Sequence, residues 1–329
     1  MPVQEARAAV GVTHIAALMK WLGVALIAVA VACALTPAAA AIPPAPDSGP
    51  IIHIEDVASF YRVYRAADGA PTAGQLQHDY LDPGSHGLHR MAQLRHVTGA
   101  SIAAAIGKNP QIYAGAKRCI GVLPRVRRRV ATALHTLGEL DPEAQFPPLT
   151  IAVGRGKPVG VTDSTGVMIG LEALCAVNWL EPDVEDRFVH VIAHEYAHVQ
   201  QALQAPALYN DEQPTVLEES LIEGAAEFTA ELISGSVSYT DLNARTKGRE
   251  QAIETAFRAD EDKTDLSSWL YNGTLTKPGD LGYWVGYRIV KSYYEHVQDK
   301  QRALREILQM SDAKRFLAKS RWYPGIRLR

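Results

Sequence analysis

Cysteine is scarce: the chain has 3 in 329 residues, and none falls in a Cys-x-x-Cys spacing. That argues against a thiolate-ligated zinc module. An excess of either charge is also missing, since 33 Lys and Arg stand against 36 Asp and Glu for a net charge of −3. So mild an acidity points neither to nucleic acid nor to an anionic membrane surface as partner. One local basic cluster, Arg125, Arg127, Arg128 and Arg129, reads as the solvated face of a helix running towards Leu137. Internal repeats are absent. The longest apolar run, Trp21 to Ala34 behind Lys20, is short for a membrane span.

That run has another reading. With the small residues Ala39-Ala40-Ala41 before Ile42, residues 1–41 read as a bacterial export signal and fall outside the fold. The stretch before the run is long and contains Glu5, so Met19-Lys20 would make a more typical start. A lipid anchor on Cys33 is the weaker alternative, because Ala30-Val31-Ala32 matches an acylation site poorly. Residues 42–50, rich in Pro and small residues, read as a linker. Residues 51–329 then form a single domain, with two lobes around a cleft as the other arrangement. The expected location is periplasmic or secreted, with no membrane span in the mature chain. There Cys119 and Cys175 are free to form one disulfide, although the sequence does not set their separation.

Apolar spacing is helical from about Ile54 to Ala67 and again from His89 to Leu137, with Gly99, Gly107, Pro110 and Pro124 as breaks. Residues 148–172 change character. Leu149 to Val153, Val159 to Val161 and Val167 to Leu171 are short β-rich runs divided by Gly, Pro and Asp. From Val216 onward the pattern is mainly helical again. The expected class is α+β, predominantly helical, with a small sheet directly before the helix described next.

His194-Glu195-Tyr196-Ala197-His198 is where the chemistry concentrates. Histidines four apart lie on one helix face, about 6 Å apart along the axis, and both imidazoles reach one Zn²⁺. Glu195, one step round the helix, is placed to take a proton from the water that such an ion activates. Asp183 and Glu185 give the helix an acidic first turn, and Val189, Ile192, Ala193 and Val199 give it apolar positions at helical spacing. The competing reading is a core helix whose histidines are satisfied by neighbouring carboxylates. His190 extends the row but sits about 12 Å from His198 along the axis, so it reads as a packed residue beside the site.

A catalytic zinc wants three protein ligands and one open position. The segment from Glu218 to Phe228 follows a turn-rich stretch around Asn210 to Pro214 and reads as a helix. It carries Glu219, Glu223 and Glu227 as one acidic stripe flanked by Leu221, Ile222, Ala225 and Phe228. Three like charges stacked on one face repel unless a cation sits among them. A solvated acidic face is the plainer alternative.

The pairing of His194-Glu195-x-x-His198 with Ile222-Glu223-Gly224-Ala225-Ala226-Glu227 resembles the gluzincin metallopeptidases, the thermolysin and aminopeptidase N group. The resemblance implies Glu223 as third zinc ligand and Glu227 as the acid that orients a ligand histidine. Ile222 stands where those families often have Asn, and the interval from His198 to Glu223 is longer than usual, so Glu219 stays open as an alternative ligand. Closer still, Gly84-Ser85-His86-Gly87-Leu88 and Gly282-Tyr283-Trp284-Val285-Gly286-Tyr287-Arg288 resemble stretches of an uncharacterised bacterial family of zinc-dependent proteases. That likeness would cover most of residues 51 to about 296. It implies one Zn²⁺ per chain and hydrolysis of a peptide or protein substrate, with Glu195 as general base and Tyr287, or else Tyr283, as oxyanion donor. It also implies that Val167 to Leu171 is the sheet edge that pairs with extended substrate. A non-catalytic envelope factor that keeps the scaffold for binding or assembly is the alternative.

Overall fold

Helices dominate because the apolar residues recur at helical spacing almost everywhere outside residues 149–170. The computed structural model describes residues 51–328 apart from 158, 178–180, 236–239 and 275–278. The expected export signal, the linker and Cys33 lie outside the described residues. After the short strand β1 (Ile52–His53), the first half holds α1 (Glu55–Ala66), α2 (Ala73–Leu76), α3 (His86–Arg95), α4 (Gly99–Lys108), α5 (Pro110–Ile120) and α6 (Leu123–Leu140). Pro110 and Pro124 sit in the first turns of α5 and α6, where a missing N–H costs nothing, so these prolines begin helices. Then come β2 (Leu149–Ala152), β3 (Gly160–Asp163), β4 (Gly166–Gly170), α7 (Leu171–Ala176) and α8 (Val184–Gln204). The remainder comprises α9 (Pro206–Tyr209), α10 (Val216–Ser234), α11 (Thr240–Thr246), α12 (Glu250–Asp260), α13 (Leu281–His296), α14 (Lys300–Leu308) and α15 (Ala313–Lys319). This is the α+β, predominantly helical class with a small sheet before α8.

The strand order is β1-β2-β4-β3, parallel between β1, β2 and β4 and antiparallel between β4 and β3. This corrects the expectation that Val167 to Leu171 is the sheet edge. Val167, Met168 and Ile169 are buried with the whole of β4, as suits a strand paired on both sides. The edges are β1 and β3, and it is the edge β3, with Gly160, Thr162 and Asp163 only half-buried, that lies against α8.

Two hydrophobic cores flank the α8/α10 pair. One gathers α1 to α8 around the sheet and includes Phe60, Tyr80, Leu134, Phe188 and Ile192. The other joins α10 to α12–α15 through Leu221, Phe257, Trp269 and Val285. Helix α10 belongs to both, giving Ala226 and Ala230 to the first and Leu221, Ile222 and Phe228 to the second. Each fully buried large side chain contributes roughly 1.5–3 kcal/mol, so α10 is clamped from both sides and α8 is anchored in the first core. Cys119 and Cys175 form a disulfide, Cα to Cα 6.1 Å, tying α5 to α7. The arginine cluster has a structural job: Arg125 Nε lies 2.5 Å from Glu185 Oε2, and Arg129 pairs with Glu185 and Asp186 in the first turn of α8. Among the described residues no helix is long and apolar enough to cross a membrane.

Candidate metal centre

Helix α8 starts on the Asp183 side chain, which accepts the Asp186 N–H at 2.9 Å, and stays buried through Gln201. Gln200, a polar residue in so buried a helix, is satisfied there: its amide bonds the Gln145 N–H and carbonyl and the Tyr196 carbonyl. Helix α10 starts on a capping box between Thr215 and Glu218 and ends at Gly235 in the left-handed region. The two helices face one another so that His194 and His198 meet the acidic stripe.

His194 Nε2 lies 3.3 Å and His198 Nε2 3.2 Å from one atom, Glu223 Oε2. Those separations exceed the 2.7–2.9 Å of an ordinary charged hydrogen bond. They match the edge of a tetrahedron around zinc, about 3.3 Å for ligand distances near 2.0–2.1 Å. The Nε2 atoms and the carboxylate oxygen all lie within 4.8 Å of one another, and all three residues are buried. Both the donor set and its spacing fit zinc.

The rings are held from behind. Gln201 Nε2 donates to the Ile222 carbonyl at 2.8 Å, so its Oε1 is an acceptor, and the His198 Nδ1 at 2.7 Å carries the proton. With Nδ1 engaged by Gln201, Nε2 is the nitrogen left to face Glu223. Glu227 Oε1 is 2.9 Å from His194 Nδ1, outside hydrogen-bonding alignment, and its Oε2 is 2.9 Å from His190 Nε2. A second trio, His190, His194 and Glu227, is also close enough for a metal. Unlike the first trio, it contributes only His194 to the lining of the cavity, so it offers no open position for water.

The electrostatics show how much positive charge this cluster requires. Burial disfavours the His194 imidazolium, but the Glu223 and Glu227 carboxylates outweigh burial and hold its pKa well above the usual histidine value. Burial likewise opposes ionisation of Glu223 and Glu227, yet the histidines keep Glu223 well below the carboxylate range and Glu227 down to about 2. Buried carboxylates stay ionised only beside a cation, and a metal replaces the protons in that role.

Glu195, one step round α8, opens into the same cavity of about 380 Å³. Thr162 Oγ1 donates to Glu195 Oε2 at 2.5 Å, and a Cβ on Gly160 would stand 2.2 Å from Oε1. The edge strand β3 thus grips this carboxylate from two sides.

Over the centre crosses α13. A Cβ on Gly224 would lie 2.1 Å from the Gly286 carbonyl carbon, and one on Gly286 1.7 Å from the Ser220 carbonyl oxygen. Only glycine at both positions permits this approach. It brings Tyr283 into the cavity wall, its ring stacked 6.3 Å from that of His194. Tyr287, expected in the cleft, is not there. One turn further along α13, its hydroxyl donates to Glu231 and accepts from Lys291 Nζ at 3.0 Å, and its ring packs on Phe228. The crossing at Gly286 separates the two tyrosines, leaving one over the histidines and the other past the end of the acidic stripe.

Residues 172–317 match the model of a family described as predicted Zn-dependent protease (DUF2268). The match spans α8, α10 and α13, and so every residue of the first trio. It covers a little under half of the chain, leaving out the Gly84 to Leu88 stretch and the β-sheet and reaching past residue 296. No curated protein and no solved structure matches.

Several site residues were not singled out from the sequence. The Tyr271 hydroxyl lies within hydrogen-bond reach of Glu219 and, at 2.8 Å, of Glu223 Oε1, its single proton shared between the two carboxylates. The Tyr271 backbone is left-handed, with φ +56°, unusual for an aromatic residue. Reciprocal bonds between Asn272 and Asp280 brace that turn. The tyrosine follows Glu223 by 48 residues, and no local signal could have found it. Gln201 could have been found, because it stands one turn after His198 on the same face. Glu219, the alternative ligand, lines the cavity beside Tyr271 but is outside the trio.

Proposed function

We propose that the chain is an exported zinc-dependent peptidase of gluzincin type, holding one Zn²⁺ with His194, His198 and Glu223. The observation that carries the reading is the convergence of two imidazole nitrogens and one carboxylate oxygen at zinc-ligand spacing, with Glu195 in the same cavity. Zinc held there lowers the pKa of water towards about 7 and polarises a carbonyl. Glu195 is the proton carrier, accepting a proton at its carboxylate and passing it to the departing amine. Thr162 and the absence of a side chain at Gly160 fix where that carboxylate stands. Glu227 and Gln201 orient the two histidines, and Tyr283 replaces Tyr287 as the oxyanion donor. Export is supported by the Cys119–Cys175 disulfide, which persists in an oxidising compartment. Glu195 in the cavity speaks against a binding-only scaffold, which has no use for a general base.

The test is elemental mass spectrometry of the purified protein beside peptide hydrolysis. Wild type should carry about one zinc per chain, and Glu223→Ala should lose it. Glu195→Gln should keep zinc and lose roughly 10²- to 10⁴-fold in turnover. A folded wild type that takes up no zinc, or a Glu195→Gln variant as active as wild type, would sink the reading.

A further inference from the structure

Among the described residues one arginine lines the cavity, and no hydrogen bond or ion pair engages its guanidinium there. Arg95 ends α3 and lines the same wall as Glu195 and Tyr271. Its Nε is buried without a hydrogen-bond partner, and among the described residues the guanidinium makes no ion pair. Arg90, one turn earlier, shows the contrast: its Nε is 2.5 Å from Asp163 Oδ2 and its Nη1 donates to Gln93. The backbone carbonyl of Arg95 is pinned by Arg155 Nε at 3.1 Å, so the side chain leaves from a fixed point.

Three of the nearby carboxylates are already engaged. Thr162 holds Glu195, Tyr271 holds Glu219, and Tyr271 and the two histidines hold Glu223. Burial disfavours the Arg95 charge, and the nearby Glu195 carboxylate is the main influence offsetting it. A guanidinium remains charged nonetheless and offers five donors in a planar fork shaped for a carboxylate. The rest of the lining, with Glu195, Asp211, Glu212, Glu219 and Glu223, is acidic. Apart from the proposed zinc, an anionic group entering this cavity has this one cation to meet.

We propose that Arg95 binds a carboxylate of the substrate, so that the site selects peptides bearing a free C-terminus or an acidic side chain next to the scissile bond. This deepens the peptidase reading and rests on it. The recognising contact is a charge-assisted, two-pronged hydrogen bond, and losing it should cost roughly 10- to 100-fold in affinity.

Zinc-loaded Glu195→Gln protein, which binds peptides without consuming them, is mixed with N-acetylated dipeptide libraries made as free acids and as C-terminal amides. Retained members are ranked by mass spectrometry. Carboxylate-bearing members should be retained 10- to 100-fold better than neutral ones, and adding Arg95→Gln should erase that preference while zinc content stays unchanged. Retention of all free acids identifies the C-terminal carboxylate as the group read. Retention of Asp- and Glu-containing members in both libraries identifies the side chain. Equal retention of acidic and neutral members by the Arg95-containing protein, or a preference that survives Arg95→Gln, overturns the proposal. Its failure is distinct from that of the peptidase reading, which falls if wild type cleaves no member even though retention follows Arg95.

Discussion

Gly160→Ala tests whether the edge strand positions Glu195, without touching any residue of the His-Glu-x-x-His motif. The new Cβ would stand 2.2 Å from Glu195 Oε1, 2.7 Å from Cδ and 3.0 Å from Cγ. Ordinary contact begins near 3.4 Å, so the carboxylate must retreat by about 1 Å. Because the obstructing atoms end a flexible side chain, the backbone need not move, and alanine in a strand recovers roughly 0.5–1 kcal/mol over glycine. Net stability should change by less than about 1 kcal/mol. Activity should not be spared: a catalytic group misplaced by about 1 Å costs on the order of 100-fold. The assay is kcat/KM on any peptide that wild type cleaves, with zinc content and urea unfolding measured on the same preparation. Expected together are near-normal stability, one zinc and a loss of about 100-fold. Hydrolysis within threefold of wild type would refute the argument, as would loss of the metal.

The α10/α13 crossing should be far less forgiving. Gly286→Ala drives a Cβ to within 1.7 Å of the Ser220 carbonyl oxygen, a backbone atom that cannot rotate away. Denaturant unfolding should show a loss of about 3 kcal/mol or more, and a variant as stable as wild type would disprove the close crossing. Replacing Cys119 and Cys175 with serine opens a loop of 56 residues and should cost about 4 kcal/mol. A loss below about 1 kcal/mol would assign the bond little role in stability. Asp280 supplies a pH signature. Burial pushes its carboxyl from 3.8 up to about 6, so the folded chain holds this proton more tightly than the unfolded chain. Its contribution to stability is therefore present below pH 4 and is lost as pH rises towards 6, by about 3 kcal/mol at most. Asp280→Asn should remove that slope, and a wild-type minus variant difference that stays flat from pH 4 to 6.5 would refute it.

The sequence by itself determined what local periodicity can carry. His194 and His198 share a face because a helix repeats every 3.6 residues, and Glu219, Glu223 and Glu227 form a stripe for the same reason. The short β runs at residues 149–170 were legible from composition and alternation, whereas Pro110 and Pro124, read as breaks, turned out to begin helices. Only the tertiary structure decided which stripe member faces the histidines. Glu223 does, Glu227 stands behind His194 and His190, and Glu219 turns to Tyr271. Which strand forms the edge was equally out of reach, because strand order depends on pairing between distant segments. Tyr283 and Tyr287 are equivalent by spacing, and only the crossing of α13 over Gly224 separates them. Tyr271, Thr162 and Arg95 reach the cavity from three separate places in the chain. Their convergence belongs to long-range packing, which no local pattern records.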